Sequence, residues 1–324
     1  MTEAVRRALA HVRGRAAAGT APPPGLLDRA PITVSFHPDR LLGDGATVAE
    51  HLLADGRYRS QFETGISNGG LTAYPGGDRH RWEQRMFGGA YPADGIVGRP
   101  VYGGLNLAGH PDGASPRFGS CHLLLRPEVS RRATFSHGDS VTEPTVVGTV
   151  DAFGGIWAAL LDEVARTGSA LGRAAASPQQ WVASLSAPPA GAGRALDDYV
   201  EAQVHGGVDL GADVTAVVAD PSLRGTPTGD LLARLAPRLR WHPGFVLGPD
   251  EFPEDLRGPV APRLARFVAD RYRTGHLDAA VVGRAARSVV REPGRWDRWG
   301  PPAEVLQQLK YLWHILVLRG RPAG

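Results

Sequence analysis

The sequence predicts an α+β protein, a mixed or antiparallel sheet core covered by helices. Three observations carry that expectation. Short apolar, β-branched runs such as ITVSF (Ile32 to Phe36) and Val214 to Val218 read as strands. Segments with apolar residues at helical spacing lie near both ends of the chain. Glycine and proline, 42 and 27 among 324 residues, break the remainder into short elements and turns with no fibrous period.

Residues 1–19 read as an alanine-rich helix with Val5, Leu9 and Val12 on one face. Ala21 to Pro31 contains three consecutive prolines and reads as a connector, so residues 1–31 stand apart from a single α+β domain over 32–324. The strand at Ile32 to Phe36 is ended by His37-Pro38-Asp39-Arg40, because proline lacks a donor and restricts its neighbour. Thr47 to Leu53 suits a short helix. Arg57 to Ser140 alternates glycine-rich turns with strand-like runs at Pro100 to Leu107, Ser120 to Leu125 and Ala133 to Ser136. Val150 to Arg166 is a helix with Trp157, Leu160, Leu161 and Val164 as its buried stripe. Residues 167–193 are small and patternless and are expected to form a long loop. YVEAQV, Tyr199 to Val204, reads as a strand closed by His205-Gly206-Gly207, and Asp220-Pro221 ends the next one. Asp230 to Leu239 turns helical, with Pro237 limiting its last turn. Val260 to Arg273, Leu277 to Arg291 and Ala303 to Leu318 read as helices able to cover a sheet.

Composition narrows the function. Cys121 is the only cysteine, which excludes a disulfide within the chain and a cysteine-rich metal site. No apolar run is long enough to cross a bilayer, so no membrane partner is expected. The N-terminus has arginines but no apolar core before a cleavage site, and reads as a helix and not a signal peptide. A cytoplasmic location is the default, while secretion without such a signal, as for a toxin, stays open. The net charge is only +3, and Lys310 is the single lysine. With no aromatic-interleaved basic groove or finger spacing, nucleic acid is not an expected partner. His37, His110, His122, His137 and His205 lack H-x-x-x-H spacing, so no metal is expected.

Four strings carry candidate chemistry. In RYRSQFETGISNGG, Arg57 and Arg59 can clamp a phosphate or carboxylate, with Ser67, Asn68 and turn amides cradling it. The same string can equally be a polar turn capped by its own side chains. In VYGGLNLAGHPDG, Gly103 and Gly104 beside Tyr102 would let a flat ligand approach the backbone, or would make a bulge. No P-loop or dinucleotide fingerprint is present. RRATFSHGDSVTEPT offers His137, Asp139, Ser140 and Glu143 without a G-x-S-x-G elbow. In YVEAQVHGG, Glu201 and Gln203 share one strand face while Val200, Ala202 and Val204 share the other. A fixed carboxylate there could stabilise a cationic transition state, or the polar face could simply be wet.

The strings FHPDR, RYRSQFETGISNGG, VYGGLNL, FGSCHLLLRP, RATFSHGDS and YVEAQVHGG together resemble a bacterial family of unknown function, the DUF3626 proteins, from about Ile32 to the C-terminus. The chain also resembles the ADP-ribosyltransferases, more loosely. In that superfamily an early arginine or histidine contacts NAD, a middle strand supplies Ser-Thr-Ser or a tyrosine, and a later strand supplies the catalytic glutamate. Glu201-Ala202-Gln203 is similar to the superfamily's Glu-x-Glu pair with the last glutamate replaced. His37 matches the early histidine and Tyr102 the tyrosine, while Glu63-Thr64-Gly65-Ile66-Ser67 echoes Ser-Thr-Ser. The match mixes two branches of the superfamily. What it implies is an ADP-ribosyltransferase-like fold and an NAD-dependent transferase acting on an unknown protein or small-molecule acceptor. Glu201, Gln203 and Tyr102 would be catalytic, and His37, Arg57, Arg59, Ser67, Asn68 and Gly103 would bind NAD. Two other classes remain open: a hydrolase using His137, Asp139 or Glu63 as acid and base, and a non-catalytic interaction or immunity protein.

Overall fold

The computed structural model describes residues 1–66, 72–189, 191–235 and 238–323. Alternating apolar residues place eight strands in one sheet: β1 (Ile32–Phe36), β2 (Val101–Leu105), β3 (Cys121–Leu125), β4 (Ala133–His137), β5 (Val147–Thr149), β6 (Val200–Val204), β7 (Val214–Ala219) and β8 (Arg238–Trp241). Their order is β8-β7-β3-β1-β2-β6-β4-β5. Neighbours are antiparallel except β7 with β8. The class is therefore α+β, with a largely antiparallel sheet.

The two faces of the sheet differ chemically. One carries Val34, Leu105, Phe135, Val200, Ala202 and Val204 into the main apolar core. Helix α4 (Gly154–Thr167) joins that core through Ile156, Trp157, Leu160 and Val164. Burying each such large side chain contributes about 1.5–3 kcal/mol. The opposite face is polar. Direct cross-strand partners point the same way, so the pairs Tyr102↔Gln203, Thr134↔Gln203 and Ser136↔Glu201 put five polar side chains on it. It is covered, not wet. Helix α3 (Asp78–Met86) buries Arg79 and Glu83 over it, and Ser140 closes over Glu201. The strand at Val200–Val204 is buried at all five positions and lies in the middle of the sheet.

Helix α1 (Glu3–Arg15) is capped by Thr2 and packs Ala8 and Val12 with Trp82, Met86 and Phe87. Helix α2 (Val48–Asp55) starts with a capping box between Thr47 and Glu50. Residues 167–189 differ from the long loop expected. Ser169–Ala170 pairs with Arg173–Ala174, and helix α5 (Pro178–Ser184) follows. One buried indole organises this stretch: Trp181 donates Nε1–H to the Ala170 carbonyl at 3.0 Å. Arg173 adds bonds to the carbonyls of Ala108 and Ser184.

The helix expected over Asp230 to Leu239 is also corrected. Thr226 caps α6 (Pro227–Ala233), with proline in the first turn, and Arg238–Trp241 becomes β8 by pairing with β7. Arg238–Trp241 alternates arginine with an apolar residue, and its parallel pairing with β7 fixes it as a strand. The last three helices, α7 (Val260–Tyr272), α8 (Ala279–Arg291) and α9 (Pro302–Arg319), form a second apolar cluster around Leu264, Val268, Val289 and Leu312. Helix α9 reaches the sheet through Trp313, which donates to the Pro116 carbonyl at 2.8 Å and meets the His37 ring edge-on at 5.5 Å. No helix among the described residues is long and apolar enough to cross a membrane.

Candidate active site

Three neighbouring strands end or pass at one cleft. β1 delivers Ser35 and, just beyond it, His37 and Arg40; β2 delivers Tyr102 and Gly103; β6 delivers Glu201. Arg57, Arg59, Arg79 and Asp139 also line it. Its empty space, counting the part open to solvent, is about 1010 Å³. Two lining atoms, Ser35 Oγ and Gln61 Oε1, are buried without a hydrogen-bond partner among the described residues, so the cleft wall keeps free polar capacity.

Glu201 is the most constrained group there. Its Oε2 accepts from Ser140 N at 3.2 Å, Ser140 Oγ at 3.0 Å and Tyr199 OH at 3.3 Å. Its Oε1 accepts from Gln203 Nε2 at 3.0 Å. Gln203 is fully buried and is held in turn by Thr134 Oγ1 at 2.8 Å. Gln203 does not line the cleft; it orients Glu201 from behind. Burial raises the Glu201 carboxyl above its ordinary pKa, Arg79 pulls it back, and Asp139 pushes it up again.

A second layer supports this one. Arg79 donates to Ser140 Oγ, and its guanidinium lies 4.1 Å from the centre of the Tyr102 ring. Burial opposes the Arg79 charge, but Tyr102, Glu201 and Glu83 outweigh it and raise its pKa. The Tyr102 hydroxyl donates to Glu83 Oε1 at 2.8 Å, so what Tyr102 offers the cleft is ring surface. Glu83 Oε2 accepts from Arg99 at 2.9 Å, with both side chains about 1% exposed. Burial lifts Glu83 to about 7 against the opposing pull of Tyr102, Arg99 and Arg79. His37 goes the other way: burial first, then Arg40 and Lys310, lower it to about 3, so it is neutral at ordinary pH.

The structure thus brings His37, Arg57, Arg59, Tyr102, Gly103 and Glu201 to one cleft. Ser67 and Asn68 lie outside the described residues. Gly103 is not a bulge. A side chain there would come within 2.5 Å of the Thr33 carbonyl, so the neighbouring strand requires the glycine. Arg57 and Arg59 are already engaged, by Glu63 at 2.7 Å and Asp55 at 2.6 Å. His137 is not among the cleft-lining residues; it pairs with Glu163 of α4 at 3.0 Å. Asp139 lines the cleft and keeps Oδ2 buried without a hydrogen bond.

Sequence reasoning missed Arg40, Arg79 and Glu83. Arg40 was read only as a strand terminator, yet it makes no ion pair or side-chain hydrogen bond among the described residues. Arg79, Trp82, Glu83 and Met86 follow the spacing i, i+3, i+4, i+7 and are all buried. That pattern was the available signal, obscured because two of the four are charged.

Two relatives come from bacteriophages. The "Gene 2 protein" of Mycobacterium phage D29 is 37% identical over 92 residues, which is 28% of this chain and 32% of that protein. The "Gene 2 protein" of Mycobacterium phage L5 is 30% identical over 175 residues, 52% of this chain and 59% of that protein. The chain therefore spans less than two thirds of either relative. A family model described as "Protein of unknown function (DUF3626)" matches residues 31–319. That match takes in the whole sheet, the cleft and the helices after it, and the chain belongs to the DUF3626 family.

Proposed function

We propose that this protein is a transferase that uses NAD as an ADP-ribose donor and passes the ADP-ribosyl group to a protein or small-molecule acceptor. The observation that carries the reading is the convergence of His37, Tyr102 and Glu201, from three adjacent strands, on one cleft. The cleft fits such a substrate in kind. It offers aromatic surface at Tyr102, one rigid carboxylate at Glu201 and, among the described residues, a cation without a partner at Arg40 and buried polar atoms without partners at Ser35 and Gln61.

The chemistry asked of that carboxylate is electrostatic. As the bond between the ribose carbon and the nicotinamide nitrogen breaks, its electron pair leaves with nicotinamide and positive charge develops on the ribose carbon. Glu201, fixed by four hydrogen bonds, stabilises that charge without reorganising. The acceptor then attacks the carbon and gives up a proton. Gln203 acts through Glu201 as a positioning residue. His37, neutral, half-buried and edge-on to Trp313, can hydrogen-bond a ribose hydroxyl but carries no charge for it.

A second reading is favoured by Asp139, which shares the cleft with Glu201: the acceptor is water, and the reaction is hydrolysis. One experiment separates the two. The protein is incubated with NAD labelled in its adenylate half, with and without cell lysate, and nicotinamide release is followed beside label transfer. Release with labelled acceptor supports the transferase. Release without transfer supports hydrolysis. A folded protein that neither binds nor consumes NAD refutes both.

A further inference from the structure

His37 and Arg40 line a second cavity as well as the cleft. It lies between the end of β1 and helices α8 and α9 and encloses about 590 Å³ of empty space, counting any part open to solvent. Its floor is apolar, with Val282, Leu306 and Leu309 among the lining residues. Its wall is cationic: Arg40, Arg117 and Lys310, the only lysine of the chain. The carboxylate of Asp39, also on the wall, is already held by Thr228 Oγ1 at 2.6 Å and Arg287 at 3.3 Å.

Part of the charge around this chamber has no partner among the described residues. Arg40 has no ion pair or side-chain hydrogen bond among the described residues. Arg117 pairs with Asp197 and stands 4.0 Å from Asp139, but its Nε is buried with no acceptor. Behind the lining, His314, one turn beyond Lys310 on α9 and 2% exposed, has no hydrogen-bond partner for either ring nitrogen among the described residues. Burial first, then the charges of Arg257, Arg117 and Lys310, hold it well below its ordinary pKa. Buried polar groups in native proteins usually have a hydrogen-bond partner, and a bound anion would supply one here.

We infer that this chamber binds a phosphate or diphosphate group, held by Arg40, Arg117 and Lys310. The argument for phosphate over carboxylate is directional. The cations come from the end of β1, from the turn at Pro116–Phe118 and from helix α9, and so surround the space. A tetrahedral dianion presents oxygens to several sides at once, whereas a carboxylate presents two in one plane. Because Arg40 and His37 also face the cleft, a phosphate ester seated here can extend the rest of its structure there. The inference does not rest on the transferase reading, since any phosphate-bearing ligand satisfies it.

Inorganic pyrophosphate is the probe. The full chain is titrated calorimetrically and by thermal unfolding, with ionic strength held constant by sodium chloride. Saturable one-site binding that raises the unfolding temperature is expected. Arg40→Gln and Lys310→Met should each weaken it about tenfold or more, on the scale of losing one charge-assisted contact. Arg40→Lys, which keeps the charge and loses the planar fork, should bind more tightly than Arg40→Gln and less tightly than wild type. Arg6→Gln, on the exposed face of α1 and outside both the chamber and the cleft, should bind as wild type does. Adenosine diphosphate, run in parallel, distinguishes the source. Tighter binding than pyrophosphate supports an ester extending into the cleft, and equal binding supports a free anion. Absence of saturable binding to the wild type overturns the inference, whether or not any variant folds. So does a chloride control that matches the pyrophosphate shift, or undiminished binding by folded Arg40→Gln and Lys310→Met.

Discussion

Replacing Glu201 by glutamine keeps the shape of the side chain and removes its charge. The outcome for stability can be followed bond by bond. The amide oxygen of the variant can take the position of Oε2, which accepts from Ser140 N, Ser140 Oγ and Tyr199 OH. Its NH₂ then faces Gln203 Nε2, donor against donor, where Oε1 now accepts at 3.0 Å. Gln203 can turn its own amide over, which sets its NH₂ against Thr134 Oγ1. That hydroxyl can accept the bond and donate instead to His205 Nε2, 3.1 Å away. What is lost is the bond from Gln203 to Ser136 Oγ, at 3.3 Å, and the charge assistance at Oε2. A neutral bond is worth about 1 kcal/mol and one to a charge about 1.5–3 kcal/mol. Against this, the variant no longer buries a carboxylate near Asp139. The expected destabilisation is therefore about 1–2 kcal/mol, while nicotinamide release should fall by about two to three orders of magnitude. Urea unfolding and NAD consumption, measured on the same preparation, check both. A folded variant that turns over at the wild-type rate removes Glu201 from the chemistry. A loss of stability above about 4 kcal/mol refutes the re-pairing argument.

Three further expectations follow from buried groups. Burial lifts Glu83 from 4.5 to about 7, so the folded chain holds a proton that the unfolded chain has released. Glu83 therefore makes stability fall as pH rises between those values, by at most about 1.4 kcal/mol per unit. Urea unfolding from pH 4.5 to 7 should show a flatter slope for Glu83→Gln than for wild type, and identical slopes would count against a buried, protonated Glu83. Trp313→Ala deletes a fully buried indole and its bond to the Pro116 carbonyl, and should lower the unfolding free energy by about 3–5 kcal/mol. A loss under about 1 kcal/mol would mean that α9 does not anchor the sheet. Cys121 is 1% exposed, and burial pushes its thiol well above the ordinary range. A thiol reagent should label it only as the protein unfolds, and rapid labelling of the folded chain would contradict that burial.

The alternation in YVEAQV was enough to place Glu201 and Gln203 on one face, because a strand has a period of two whatever surrounds it. Their burial was not legible, since it comes from a helix whose inward face carries Arg79 and Glu83. Hydrophobic periodicity finds helices that cover apolar surface, and this one covers polar surface. Strand β8 was hidden for another reason. RLRW alternates arginine with an apolar residue but runs for only four residues, too short to decide strand over helix, and its parallel neighbour decides it. Arg57 and Arg59 were legible as cations, but their neutralising partners Asp55 and Glu63 could be assigned only once the turn between them was known. Arg40 shows the converse. Its importance lies in partners it lacks among the described residues, and a missing contact leaves no trace in sequence.

The position of β6 in the sheet also sets when the cleft can exist. Its flanking strands β2 and β4 are both made well before it, yet they are joined only through it. A nascent chain that has emerged as far as residue 189 already carries His37, Arg40, Tyr102 and Asp139, but holds an open seam where Glu201 belongs. The seam closes by insertion of a strand between two distant ones, a step dominated by non-local pairing and therefore slow relative to hairpin formation. Until it closes, the groups that would handle a substrate stand on separate edges of an unfinished sheet. Competence thus arrives late in synthesis and all at once, and a chain cut short before Val200 has no partly working site to offer.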